Sequence, residues 1–225
     1  INNDKFGFKN PNTIYEKKIN LILLGDSYAE GQCYEETNDI AGFLRKKKYN
    51  SANFGVTGSG PLVALGVLKE YAKKIKPAYV VYFYYEGNDI SDLSWEKNNP
   101  ILKNYLDDGY SQNLLDKNEE IEFFLSNIAK DSYEYIDSKI NYANSSKQKK
   151  RVAFIEQLKD FLELSSLRNL IKNNLYLIND KEFDEELFFS IIKSMNKETS
   201  SWEGKFIFVY TPSWSRYFTK FTKLQ

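Results

Sequence analysis

The sequence predicts an α/β fold built on a parallel sheet, and three observations carry that prediction. Short apolar runs recur along the chain, each closed by glycine or proline. Stretches with helical spacing separate the first three of them. The order strand, helix, strand, helix, strand then calls for right-handed crossovers between parallel neighbours.

Residues 1–17 are polar, rich in Asn and Lys and without a steady period, and read as an arm laid over the surface. Ile19 to Leu24 is a short apolar run stopped by Gly25, the pattern of a strand buried on both faces. Within 35–49, Ile40, Phe43 and Leu44 recur at helical spacing ahead of the solvated run Arg45 to Lys48. Ala52 to Val56 is a weaker strand, closed by Gly58 and Gly60. Pro61 opens an amphipathic helix to Ile75, with Leu62, Leu65, Leu68 (or Val67) and Ala72 on one face. Ala78 to Tyr85, aromatic and stopped at Gly87, is the strongest strand.

Helical periodicity then dominates to about residue 200, in Glu120 to Ala129, Val152 to Leu175 and Glu182 to Met195. The polar run Asn144 to Lys150 reads as an exposed loop. Lys205 to Tyr210 returns to strand character before Thr211-Pro212. The expectation is one domain over 1–225, with a helical insertion over 95–204 between the third and fourth strands.

The 225 residues balance 31 Lys and Arg against 31 Asp and Glu, which gives no electrostatic reason to expect nucleic acid as a partner. A single cysteine, Cys33, excludes an internal disulfide framework. There is no histidine, so neither a Ser-His pair nor a histidine-ligated metal can be completed from these residues. The residues call for no cofactor and no metal. Met195 is the only methionine, so an upstream segment is expected.

Ligands of an open parallel sheet gather at the carboxyl ends of its strands. Three short clusters lie there: Gly25-Asp26-Ser27 with Gly31, Val56-Thr57-Gly58-Ser59-Gly60-Pro61, and Glu86-Gly87-Asn88-Asp89. If the three strands are adjacent, Ser27 offers a hydroxyl nucleophile. The N–H groups of Ser27 and Gly58 and the Asn88 amide offer three donors to an oxyanion.

These clusters resemble the first three blocks of the SGNH, or GDSL, hydrolases in order and in spacing, with about 30 residues between successive blocks. Glu86 stands where that family often has glycine. The resemblance covers residues 5–90 closely and 205–216 loosely. It implies a three-layer α/β/α fold, flavodoxin-like, and ester hydrolysis through an acyl-serine. By it Ser27 is the nucleophile, with Gly58 and Asn88 completing the oxyanion hole.

The implied substrate is an acylated, commonly acetylated, carbohydrate or a small ester. An O-acyltransferase using the same site is the alternative, and a non-catalytic binding module is a third reading. The family's fourth block, Asp-x-x-His, is not found between Ile1 and Gln225. A continuation of the chain bearing that block is therefore expected. Removal of the base from such a couple costs up to about 10⁶ in kcat. Relatives with a segment like Phe6 to Asn10 ahead of the first block follow a membrane anchor, so an extracytoplasmic domain anchored outside these residues is implied.

Each cluster also has a plainer reading. Asp26 or Ser27 can simply cap a helix, Gly58 and Gly60 can simply permit positive φ, and Asn88-Asp89 can be a turn that braces a loop. Trp95, Trp202 and Trp214 are expected to pack, with stacking on a sugar ring as the alternative. Cys33 can line the pocket but has no basic partner to activate it.

Overall fold

A computed structural model describes residues 3–145 and 183–218. Its sheet has four parallel strands in the order β2-β1-β3-β4, with β1 Leu21–Gly25, β2 Ser51–Asn53, β3 Tyr79–Tyr85 and β4 Lys205–Thr211. Leu24 stands opposite Tyr82, and the β3–β4 register runs from Tyr79↔Lys205 to Tyr85↔Thr211. All four carboxyl ends therefore lie on one edge.

Helices cover both faces. On one face α2 (Ile40–Lys46) packs over Leu23 and Val81, with Ala41 at the centre. On the other, α3 (Pro61–Val67) sets Leu62 and Leu65 against Ile22, Leu24, Val80 and Tyr82. Each such leucine, fully removed from water, contributes about 1.5–3 kcal/mol. The α/β expectation and the three-layer arrangement of helices about a parallel sheet are both met.

The helix begun by α3 does not run regularly to Ile75. It passes through a π turn, Leu68–Ala72, into a last α turn, α4 (Lys73–Ile75). Buried Glu70 in that turn accepts from the Tyr105 hydroxyl (2.9 Å), the Ser111 hydroxyl (3.0 Å) and the N–H groups of Gln112 (2.5 Å) and Leu114 (2.9 Å). A loop without regular structure is thus pinned to the domain by one carboxylate.

The N-terminal residues are not an arm on the surface. Phe8 and Ile14 belong to the main core, and Asp4, Lys9 and Asn10 are buried with them. Asp4 accepts from the N–H groups of Phe6 (2.9 Å) and Phe8 (3.0 Å), from Asn10 Nδ2 (3.0 Å) and from the Tyr15 hydroxyl (2.6 Å). Asn10 in turn exchanges two hydrogen bonds with the Asn53 backbone, at 2.8 and 2.7 Å. Its side chain supplies what a neighbouring strand would. Polar groups satisfied this way can be buried cheaply, and hydropathy does not reveal them.

After β3 come α5 (Asp89–Glu96) and α6 (Pro100–Asn104), both packed on α3. Residues 117–182 separate as a unit of their own, of which α7 (Asn118–Ser145) is described. Phe123, Phe124, Leu125 and Ile128 of that helix are exposed. The helix expected over 152–175 and most of the polar loop over 144–150 lie outside the described residues. In the sheet-bearing unit α8 (Glu185–Ser200) packs on α3 and β4, and α9 (Ser215–Phe218) follows β4. Among the described residues no helix is long and apolar enough to cross a membrane. Of the tryptophans, Trp202 donates to Pro77 O (3.0 Å), whereas Trp95 and Trp214 are largely exposed.

Candidate functional site

Gly25 ends β1 with φ +143°, and a Cβ there would sit 2.7 Å from Phe83 O and 2.9 Å from Ala29 Cβ. Only glycine lets the chain turn so close to its neighbour strand. Asp26 follows in an extended conformation and accepts from the Tyr28 N–H (2.9 Å), capping the single turn α1 (Ser27–Glu30). The capping role thus falls to Asp26 and not to Ser27. Ser27 is half-buried, and among the described residues neither its hydroxyl nor its N–H has a hydrogen-bond partner.

Beyond β2 the backbone stays beside β1, with Val56 N–H donating to Gly25 O (2.9 Å), and then turns with Ser59 N–H on Val56 O (3.1 Å). Gly58 occupies that turn at φ +75°, with open space where a Cβ would be. Its conformation, not its size, demands glycine. The Gly58 N–H is likewise unpartnered among the described residues. Gly60 has no positive φ; its Cβ would meet Glu96 Oε2 and Asp92 Cβ, both at 2.9 Å. Buried Glu96 accepts from the N–H groups of Gly60 (2.6 Å) and Leu62 (2.9 Å), satisfying the start of α3. Glu30 accepts from the Thr57 N–H (2.8 Å) and from the Thr57 hydroxyl, so α1 and the Gly58 turn are tied directly.

Asn88 stands at the N-cap position of α5 without capping it. Its Nδ2 donates to Asp92 Oδ2 (2.7 Å), which leaves the second amide hydrogen for another acceptor. Asp89 is buried; its Oδ2 accepts from the Tyr85 N–H (3.0 Å) and the Tyr82 hydroxyl (3.2 Å). Burial, reinforced by the charges of Asp26 and Asp92, pushes its carboxyl up to about 8. Asp89 braces the end of β3, as its plainer reading has it. Glu86 behaves oppositely: the Arg216 guanidinium holds it down at about 2, and it also accepts from the Ser213 N–H (3.0 Å). The Tyr28 ring, half exposed, lies 4.0 Å from that of Tyr85.

Because β2, β1 and β3 are neighbours, Gly58, Ser27 and Asn88 follow adjacent strands on one edge. Sequence reasoning missed three residues that shape this edge. Asp92 was findable from its i+4 spacing to Asn88, but Glu30 and Glu96 carry no local signal for contacts made some thirty residues away. Cys33 lines a separate cleft of about 550 Å³ together with Lys9, Tyr34 and Glu36. Among the described residues no group of three or more acidic, Cys or His side chains could hold a metal ion. No family model, no curated protein and no solved structure matches this chain.

Proposed function

We propose that this edge is an ester site of SGNH type, in which Ser27 accepts an acyl group. The observation that carries the reading is a serine hydroxyl and two N–H groups, of Ser27 and Gly58, that have no partner among the described residues and follow adjacent parallel strands. Ser27 Oγ attacks the ester carbonyl carbon and gives its proton to a base. The oxyanion is held by the Ser27 and Gly58 N–H groups and by Asn88 Nδ2, oriented by Asp92. Collapse breaks the ester C–O bond, releases the alcohol and leaves an acyl-serine. Water completes hydrolysis, and a sugar hydroxyl in its place completes O-acyl transfer.

The chain has no histidine to act as that base. Asp89 is unsuited to the task, since it is 1% exposed and occupied by Tyr82 and Tyr85. A second reading of the same edge is a module that binds an acylated ligand without turning it over. For either reading an acylated carbohydrate is the substrate class suggested by the resemblance, and the half-exposed Tyr28 ring beside Ser27 supplies a flat face for a sugar. The extracytoplasmic setting rests on the resemblance alone.

The test supplies the base. A fluorophosphonate should label Ser27 slowly in buffer and faster as imidazole is added, and Ser27→Ala should abolish the label. Label surviving in Ser27→Ala would refute the nucleophile assignment. No label at any imidazole concentration, with an acylated sugar still bound, would favour the binding module. Release of acyl groups to water or to added glycan then separates hydrolase from transferase.

A further inference from the structure

We infer that Glu30 is a positioning residue of this edge: its carboxylate holds Thr57, and through Thr57 the Gly58 N–H, in a fixed place beside Ser27. Because one oxyanion donor is at stake, this role rests on the ester site proposed above. The turn that carries the donor is anchored at its two ends. Val56 N–H donates to Gly25 O (2.9 Å), and buried Ser59 donates to Val56 O through its N–H (3.1 Å) and its hydroxyl (2.7 Å). Between these anchors Thr57 and Gly58 are exposed. Positive φ at Gly58 and not at Thr57 makes this a type II turn, whose central peptide, Thr57 to Gly58, carries the Gly58 N–H. A Cβ on Gly58 would meet nothing within 4 Å, so no packing braces the tip on that side. Among the described residues the hydrogen bonds that reach the tip come from Glu30, which accepts from the Thr57 N–H (2.8 Å) and from the Thr57 hydroxyl with the same oxygen, Oε2. Two donors on one residue fix both its backbone and its side-chain rotor.

Glu30 is itself held. It closes α1, the single turn that begins at Ser27, and buried Asn53 donates to its carbonyl (3.1 Å) and to that of Ala29 (2.9 Å). At Gly55 the two backbones touch, since a Cβ there would lie 2.4 Å from Glu30 N and 2.8 Å from Ala29 C. The turn that starts with the nucleophile therefore ends in the group that grips the Gly58 turn, and the two N–H donors are carried on segments tied at three points. A misplacement of about 1 Å costs up to about 10² in rate, which is the scale on which such a tie matters.

The test follows whole-chain variants by fluorophosphonate labelling in imidazole, over a range of reagent concentrations, and by amide ¹⁵N–¹H spectra. Glu30→Ala should lower the limiting labelling rate by about 10–10²-fold with the half-saturating concentration unmoved, and should shift or broaden the Gly58 amide signal. Glu30→Gln keeps an acceptor for Thr57 and should recover most of the rate and the parent signal. Thr57→Val, which loses the hydroxyl bond alone, should fall between. A Glu30→Ala rate equal to the parent's overturns the role, and so does a lowered rate with the Gly58 signal in place. If the parent takes no label, the ester reading fails and the Gly58 signal decides alone: unmoved in Glu30→Ala, it overturns the positioning. Should Glu30→Ala fail to fold, Thr57→Val carries the same two readouts, and parent-like values there overturn it equally.

Discussion

Replacing Glu96 with alanine removes the acceptor for two N–H groups at the start of α3, those of Gly60 at 2.6 Å and Leu62 at 2.9 Å. The Glu96 side chain is 9% exposed, and Gly60 and Leu62 are buried, so little solvent reaches the orphaned donors. A buried donor left unsatisfied costs about 1–3 kcal/mol. Loss of an acidic group at a helix N-terminus adds about 0.3–1 kcal/mol. The sum spans roughly 2–7 kcal/mol, and water entering the vacated volume brings the expected loss to about 3 kcal/mol. With a urea slope of about 2 kcal/mol per molar, the unfolding midpoint should fall by about 1.5 M. Glu96→Gln keeps one acceptor and should lose about half as much. Urea titration followed by tryptophan fluorescence measures both. A Glu96→Ala midpoint within about 0.3 M of the parent would show that the first turn of α3 does not depend on this carboxylate.

Phe8→Ala should cost about 3–4 kcal/mol, because Phe8 stacks on Phe54 at 4.4 Å inside the main core; a loss under about 0.5 kcal/mol in chemical denaturation would return the N-terminal residues to the surface. Asp89 binds its proton more tightly folded than unfolded, so its contribution to stability is fully present below the ordinary carboxylate value and is lost as pH rises to about 8. The slope through that window approaches about 1.4 kcal/mol per pH unit, and Asp89→Asn should flatten it; a parent whose midpoint is level from pH 5 to 8 contradicts this. Under the proposed chemistry, Asn88→Ala should lower imidazole-supported acyl transfer by about 10²–10³ without moving the melting temperature, and Asp92→Ala should act in the same direction more weakly. Unchanged rates in Asn88→Ala would remove its amide from the oxyanion site.

The strands were legible because burial on both faces leaves a continuous apolar run such as Leu21 to Leu24 or Val80 to Tyr85, and glycine marks where each run must turn. Ser27, Gly58 and Asn88 were legible for a related reason, since short polar clusters after such runs fall on one edge once the strands are parallel. What escaped was polar and long-range. Asn53 sits in β2 fully buried, donating to Ala29 O (2.9 Å) and Glu30 O (3.1 Å) and accepting from the Gly55 N–H (3.0 Å). A hydrophilic residue in that role weakens the very pattern by which a strand is recognised. The N-terminal segment was misread on the same account, as its burial depends on Asp4 and Asn10 finding donors and acceptors far along the chain. The π turn escaped too, because Leu65, Leu68 and Ala72 suit a regular α-helix equally well.

That π turn has a mechanical meaning. The four hydrogen bonds converging on Glu70 clamp the chain between Tyr105 and Leu114, immediately before the residues that form the second unit. Tension entering along the backbone from Asp116 meets this clamp before it reaches α5, whereas tension entering at Phe183 runs straight into α8. On that side Glu70 works like the collar that keeps a pull on a cable from reaching the solder joint, and the joint is the start of α5 at Asn88.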